Sequence, residues 1–197
     1  MLSVHVADVT YLSLGWDEVE DYVSELAERV YSVYQPNTLL AVMRGGAIVG
    51  VMLADRLGVR RVCTVNLRFY EKPEVRGVLD IYQKPPMECI SNNVVLVIDD
   101  IVDTGQSLSA VMHLRALRRA KEVRSSALLV KEHSTYMPDF YIRKVEGWVF
   151  YPWEVREACE EIYSKICSIN EAKKILINGL GFSQKAVEQV LGRLKVK

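Results

Sequence analysis

A chain of 197 residues, half of them hydrophobic, is long enough for one domain with a full core, or one domain and a small appendage. Lys plus Arg and Asp plus Glu both number 25, which weighs against nucleic-acid or membrane-surface binding by the chain as a whole, and no apolar run reaches the roughly 20 residues of a membrane span. The four cysteines (Cys63, Cys89, Cys159, Cys167) lack CxxC spacing and no cationic, apolar leader opens the sequence, so reduced thiols and a cytoplasmic location are expected.

Helix and strand signals then alternate along the chain. Ser3 to Leu14 has β character. The stretch DEVEDYVSELAERVYSVY puts Val19, Tyr22, Val23, Leu26, Ala27, Val30 and Val33 on one helical face, with Asp17, Glu18 and Glu20 in the first turn, where the helix dipole favours them. TLLAVM (38–43) is a short buried strand, RGG a turn, and AIVGVMLADRLG a helix stopping at Gly58. RVCTVN (61–66) is the next strand. Residues 67–92 form a polar stretch with Pro73, Gly77, Pro85 and Pro86, holding at best a hairpin. VVLVID is a strand, SLSAVMHLRALRRA a helix, SSALLV a strand, and FYIRKV and GWVFY two further strand candidates. Apolar strands that do not alternate, separated by helices, imply an α/β fold with a mostly parallel sheet covered on both faces.

Ligands of such sheets sit beyond the carboxyl ends of the strands, and two turns there carry unusual chemistry. Arg44-Gly45-Gly46 combines a guanidinium fork with glycines that permit positive φ and close backbone approach, just before a helix N-terminus. Asp103-Thr104-Gly105-Gln106-Ser107 offers amides and two hydroxyls at a second helix start. Either turn alone is also ordinary strand-to-helix punctuation; together they suggest a ligand with two phosphate-bearing ends. Asp99 and Asp100 beside them make sense if that ligand carries sugar hydroxyls between its phosphates and a hard divalent cation neutralises the charge.

The whole run VVLVIDDIVDTGQS, residues 94–107, resembles the signature of the type I phosphoribosyltransferases, which bind 5-phosphoribosyl-1-pyrophosphate (PRPP). A flavodoxin-like or other phosphate loop is the competing reading. The resemblance implies the type I phosphoribosyltransferase fold. In it, Asp99 and Asp100 serve the ribose and Mg²⁺, Thr104, Gly105, Gln106 and Ser107 hold the 5′-phosphate, and Arg44, Gly45 and Gly46 the pyrophosphate. LLVK (128–131), GWVFYPWE (147–154), LLAVMRGG and GVRRVCTVN are similar to the 6-oxopurine branch, especially bacterial xanthine-guanine enzymes, so the likeness runs from about Gly15 to Glu154.

This implies displacement of pyrophosphate at ribose C1 by purine N9, a nucleoside monophosphate product, and a homodimer or homotetramer. Asp103 would stand near purine N7 as proton acceptor or electrostatic partner. Lys131 would donate to a purine O6 and repel the amino hydrogens of adenine; Trp148 would stack on the base and the Val149 carbonyl would accept from ring N–H groups. In isolation, Lys131 is also readable as a solvated strand-end lysine and Trp148 as a core aromatic. Glu154 stands where relatives place an aspartate near the metal. The stretch 67–92 matches the segment that closes over PRPP, with a plain surface hairpin as the alternative.

After Glu154 the chain departs from the family. EVREACEEIYSKIC is an amphipathic helix, and INEAKKILINGLGFSQKAVEQVLGRLK reads as helix, Gly-containing turn, helix; from Ile169 onward six basic residues face two acidic ones. The expected division is therefore 1–154, a phosphoribosyltransferase domain with hood elements, and 155–197, a C-terminal helical appendage whose removal from residue 169 leaves the chemistry intact. The rival reading is a PRPP-sensing regulator whose tail contacts nucleic acid; Asp103, Lys131 and Trp148 weigh against it, because a sensor needs no base pocket.

Overall fold

The computed structural model describes residues 1–72 and 75–194. In chain order these are β1 (Leu2–Val6), β2 (Val9–Ser13), α1 (Trp16–Tyr31), β3 (Thr38–Met43), α2 (Gly45–Leu57), β4 (Arg61–Lys72), β5 (Val75–Gln83), α3 (Met87–Ile90), β6 (Val94–Val102), α4 (Gln106–Met112), β7 (Glu122–Lys131), β8 (Phe140–Val145), β9 (Trp148–Phe150), α5 (Val155–Ile166), α6 (Ile169–Lys174) and α7 (Gln184–Leu194). None of these helices is long and apolar enough to cross a membrane. They group into two compact units. One is Glu20–Val145, and the other joins Met1–Val19 to Glu146–Lys197. This grouping differs from the expected boundary at 154/155: the C-terminal helices share a unit with the N-terminal strands.

The unit from Glu20 to Val145 holds a six-stranded sheet in the order β5-β4-β3-β6-β7-β8. Every neighbouring pair is parallel except β4 with β5. Consecutive strand residues point to opposite faces, so a strand buried on both faces must be apolar throughout. Leu39 to Val42 and Val95 to Ile98 satisfy this, each at most 3% exposed. Leu40, Val42, Val95, Val97 and Val130 pack on one face with Ile90 of α3 and Leu108 and Val111 of α4. On the other, α2 comes so close that a Cβ at Gly50 would lie 3.1 Å from Ala41 Cβ and 3.2 Å from Ile98 Cγ2.

Two local expectations are corrected here, and the end of one strand is moved. The helix over 107–120 is broken: α4 ends at Met112, Leu114 takes ψ 128°, and residues Arg115–Arg119 form a 3₁₀ turn. The thiols are not all reduced, because Cys63 and Cys89 form a disulfide across 26 residues, with Cα atoms 6.4 Å apart. That separation is within reach of the bond, and it is created by the sheet, which places β4 beside α3. Finally, RVCTVN continues to Lys72 and pairs with β5, so much of 67–92 is an antiparallel hairpin; its residues 73–74, like 195–197 of the tail, lie outside the described residues.

The second unit is built on a three-stranded sheet, β1-β2-β9, with β1 antiparallel and β9 parallel to β2. GWVFY therefore does not extend the large sheet. The amphipathic α5 turns Ala158, Cys159 and Ile162 inward, and Ala172, Leu176, Leu180, Phe182, Val187 and Leu191 join them around Tyr11 and Phe150. The Tyr11 and Phe150 rings stack with centroids 5.6 Å apart, an arrangement worth about 0.5–1.5 kcal/mol beyond the area buried. Ser13 Oγ donates to Leu180 O (2.6 Å), fastening the C-terminal segment to β2.

Candidate active site

Strands β3 and β6 are neighbours in the sheet, so the turns that follow them open on the same edge. Arg44 is exposed and caps α2, and Gly45 and Gly46 form the first turn of that helix. Neither glycine takes the positive φ expected of it; that conformation belongs to Gly58, Gly105, Gly147 and Gly181. What the two glycines supply is space. A Cβ on Gly45 would overlap the Asp100 carboxylate, and one on Gly46 would lie 2.7 Å from Ile98 O and 3.0 Å from Asp99 Cα. The first turn and the acid pair are therefore in contact.

Asp99 and Asp100 lie within β6 at 9% and 8% exposure, with Val102 buried beyond them. Asp99 Oδ1 accepts from Asp100 N (3.0 Å), and Asp100 Oδ1 from Ile101 N (3.0 Å). Burial first, and then the neighbouring charge of Asp100, hold the Asp99 carboxyl well above its usual range. Two crowded carboxylates are a donor set suited to a hard divalent cation, whose charge would relieve that repulsion. Among the described residues no group of three or more His, Cys, Asp or Glu could hold a metal ion. The pair thus fits a cation such as Mg²⁺ that takes its remaining ligands from substrate oxygens and water.

Gly105, at φ +87°, caps α4 and bends the chain into the second turn. Asp99 and residues 101–108 line a hollow of about 230 Å³ there. Thr104 Oγ1 accepts from Gln106 N (3.4 Å), so the turn is closed on itself. Asp103 is exposed at its lip.

Lys131 ends β7 only 6% exposed, which excludes the solvated strand-end reading. Burial lowers its pKa, and the charge of Asp103 acts in the opposite sense. His133 was not anticipated: its Nε2 lies 2.7 Å from Asp103 Oδ1. A titratable residue two positions beyond a strand-end lysine, at the ligand edge of a parallel sheet, was the available signal.

The remaining expected residues lie in the other unit. Trp148 and Val149 pair with Tyr11 and Leu12, and β9 is the edge strand of its sheet. Trp148 is 45% exposed, so it is not a core aromatic. Glu154 caps α5 and accepts from Tyr151 N through Oε2 (2.9 Å), which commits one carboxylate oxygen to its own turn.

Comparison with known proteins identifies the family. The sequence pattern of the phosphoribosyl transferase domain matches residues 15–159. The chain belongs to the phosphoribosyltransferase family. It is 27% identical over 144 residues to a xanthine-guanine phosphoribosyltransferase of Vibrio parahaemolyticus serotype O3:K6 (strain RIMD 2210633), covering 72% of this chain and 88% of that one. The Helicobacter pylori xanthine-guanine-hypoxanthine phosphoribosyltransferase superposes with a TM-score of 0.68 at 26% identity, over 78% of this chain and 99% of that one. For a purine phosphoribosyltransferase from Pyrococcus horikoshii Ot3 the values are 0.65 and 28%, over 73% and 93%. These relatives are all transferases, so the sensing alternative has nothing in its favour, and the fold is that of the type I phosphoribosyltransferases.

Proposed function

We propose that this phosphoribosyltransferase moves the 5-phosphoribosyl group of PRPP to N9 of a 6-oxopurine, guanine or hypoxanthine, with xanthine as a third candidate, and releases pyrophosphate and a nucleoside monophosphate. The observation that carries the reading is the packing of Asp100 into the space left by Gly45, which brings the acid pair, the turn after β3 and the turn after β6 to one edge. Purine salvage in the cytoplasm and assembly as a homodimer or homotetramer belong to the same reading and rest on the family resemblance.

Arg44 and the amides that open α2 receive the pyrophosphate, Asp99 and Asp100 the ribose hydroxyls, and Thr104 to Ser107 the 5′-phosphate. Mg²⁺, held by Asp99 and Asp100, would neutralise charge on the leaving group; a metal role for Glu154 rests on the family resemblance alone. Purine N9 bonds to C1 as the C1–O bond to pyrophosphate breaks and its electron pair departs with the pyrophosphate; the proton on purine N7 passes to Asp103. Lys131 donates to O6, which a 6-amino group cannot accept. By the family resemblance alone, Trp148 would stack on the base and the Val149 carbonyl would take ring N–H groups.

The test is pyrophosphate release from PRPP and Mg²⁺ with adenine, hypoxanthine, guanine and xanthine in turn. Release with guanine or hypoxanthine but not adenine is the expected result. Adenine as the best substrate, or full turnover in excess chelator, overturns the assignment.

A further inference from the structure

The segment that follows β7 is fastened to the phosphate turn at three successive residues of that turn. His133 meets Asp103 at 2.7 Å. Thr135 donates to Thr104 O twice, through its N–H (3.2 Å) and its hydroxyl (2.9 Å). Gly105 leaves room for Tyr136, since a Cβ there would lie 2.6 Å from Tyr136 Cβ and 2.8 Å from Tyr136 N. Residues 103, 104 and 105 thus each rest on this segment.

An ionised carboxylate has no proton to give, so the bond runs from His133 Nε2–H to Asp103 Oδ1. Both side chains are more than half exposed, at 65% and 56%. Water would satisfy each of them separately, and a pair this exposed adds little to fold stability. The bond does, however, decide where the carboxylate points. Asp103 turns about two single bonds, and the buried ammonium of Lys131, whose pKa already responds to it, is the competing partner. A carboxylate drawn onto Lys131 would be lost to purine N7 and would occupy the donor meant for O6.

We propose that His133 is a positioning residue for the transfer: by holding Oδ1 of Asp103 it leaves the other carboxylate oxygen to receive the N7 proton and keeps the carboxylate off Lys131. The inference rests on the reading of Asp103 as proton acceptor. It also assigns a role to the Thr135 and Tyr136 contacts, which fix the backbone on either side of the pair, so that the turn that grips the 5′-phosphate and the residue that orients the acceptor move as one piece.

The experiment compares His133→Ala, His133→Gln, Asp103→Asn and the His133→Ala/Asp103→Asn double variant by kcat, KM for PRPP and base, and melting temperature. His133→Ala is expected to lower kcat by about tenfold to a hundredfold, up to the lower end of what a general base contributes, with KM for PRPP and melting temperature unchanged. His133→Gln, whose amide N–H reaches about as far as Nε2, should recover most of that loss. In the Asp103→Asn background, removing His133 should cost nothing further, the mark of two residues acting through one another. An impaired Asp103→Asn beside a fully active His133→Ala overturns the positioning role and leaves Asp103 in place. Full activity of Asp103→Asn overturns both readings. Additive losses in the double variant, or a lowered melting temperature that Gln does not restore, would make His133 structural.

Discussion

Asp100 stands where a side chain at Gly45 would stand. The neighbouring glycine differs in kind, because a Cβ on Gly46 would meet backbone, 2.7 Å from Ile98 O. Gly45→Ala should therefore displace a functional carboxylate and raise KM for PRPP while the protein stays folded. Gly46→Ala should instead push α2 off β6 and lower stability by about 1–3 kcal/mol. Denaturation midpoints and PRPP kinetics on both variants check this; equal loss of stability would mean that Asp100 cannot move aside.

The raised carboxyl of Asp99 predicts a trade between stability and function. A carboxyl held above its ordinary value of 3.8 binds more protons folded than unfolded, so its contribution is full below that value and is lost as pH rises through the raised one. Asp99→Asn escapes the loss and can keep the bond from Asp100 N. Without ligands the variant should melt higher than the natural protein, by a margin that grows as pH rises above about 4. It should also lose its metal-dependent turnover. Thermal unfolding from about pH 4 to pH 8 is the measurement, and a margin that does not change with pH refutes the account.

Lys131→Gln exchanges three donors for an amide that can turn either way. A lost or mispaired buried bond costs about 1–3 kcal/mol, so the preference for 6-oxopurines over adenine should shrink by roughly one or two powers of ten in kcat/KM. An unchanged ranking of the four purines would place O6 elsewhere.

The C-terminal helices predict a structural cost where the sequence suggested none. Leu176 is fully buried in the core that contains Tyr11 and Phe150. Leu176→Ala should cost about 2–5 kcal/mol, and removal of residues 169–197 should expose that core rather than leave an intact enzyme. A truncated chain with the natural melting temperature would restore the idea of a detachable appendage.

Cys63 and Cys89 close a loop of 26 residues. Replacing both with alanine should lower stability by about 2–4 kcal/mol, and a reducing agent should bring the natural protein down to nearly the same midpoint. Insensitivity to reductant would show that the bond does not form in solution.

The features legible in the sequence are those that chemistry confines to a few neighbouring residues. Asp99-Asp100 and Asp103 to Ser107 announce themselves because strand end, acid pair and turn follow one another without interruption, and Gly58 ends α2 as a left-handed cap should. Contacts between distant segments left no such trace. His133 and Asp103 are 30 residues apart and neither is unusual for a loop. The break between α4 and the 3₁₀ turn has neither proline nor glycine to mark it, only a backbone turning at Leu114. For Gly45 and Gly46 the sequence offers two uses, positive φ and close approach, and only the second is realised, as room for Asp100 and for the backbone of β6.

The bond between Cys63 and Cys89 turns the β4–β5 hairpin into part of a covalent ring. A protease that cuts this ring once does not divide the molecule, since the two fragments stay joined through sulfur. Such a nicked chain would run at full mass on a gel without reductant and separate into two bands only after reduction, so damage to the hairpin can pass unnoticed in an ordinary purity check.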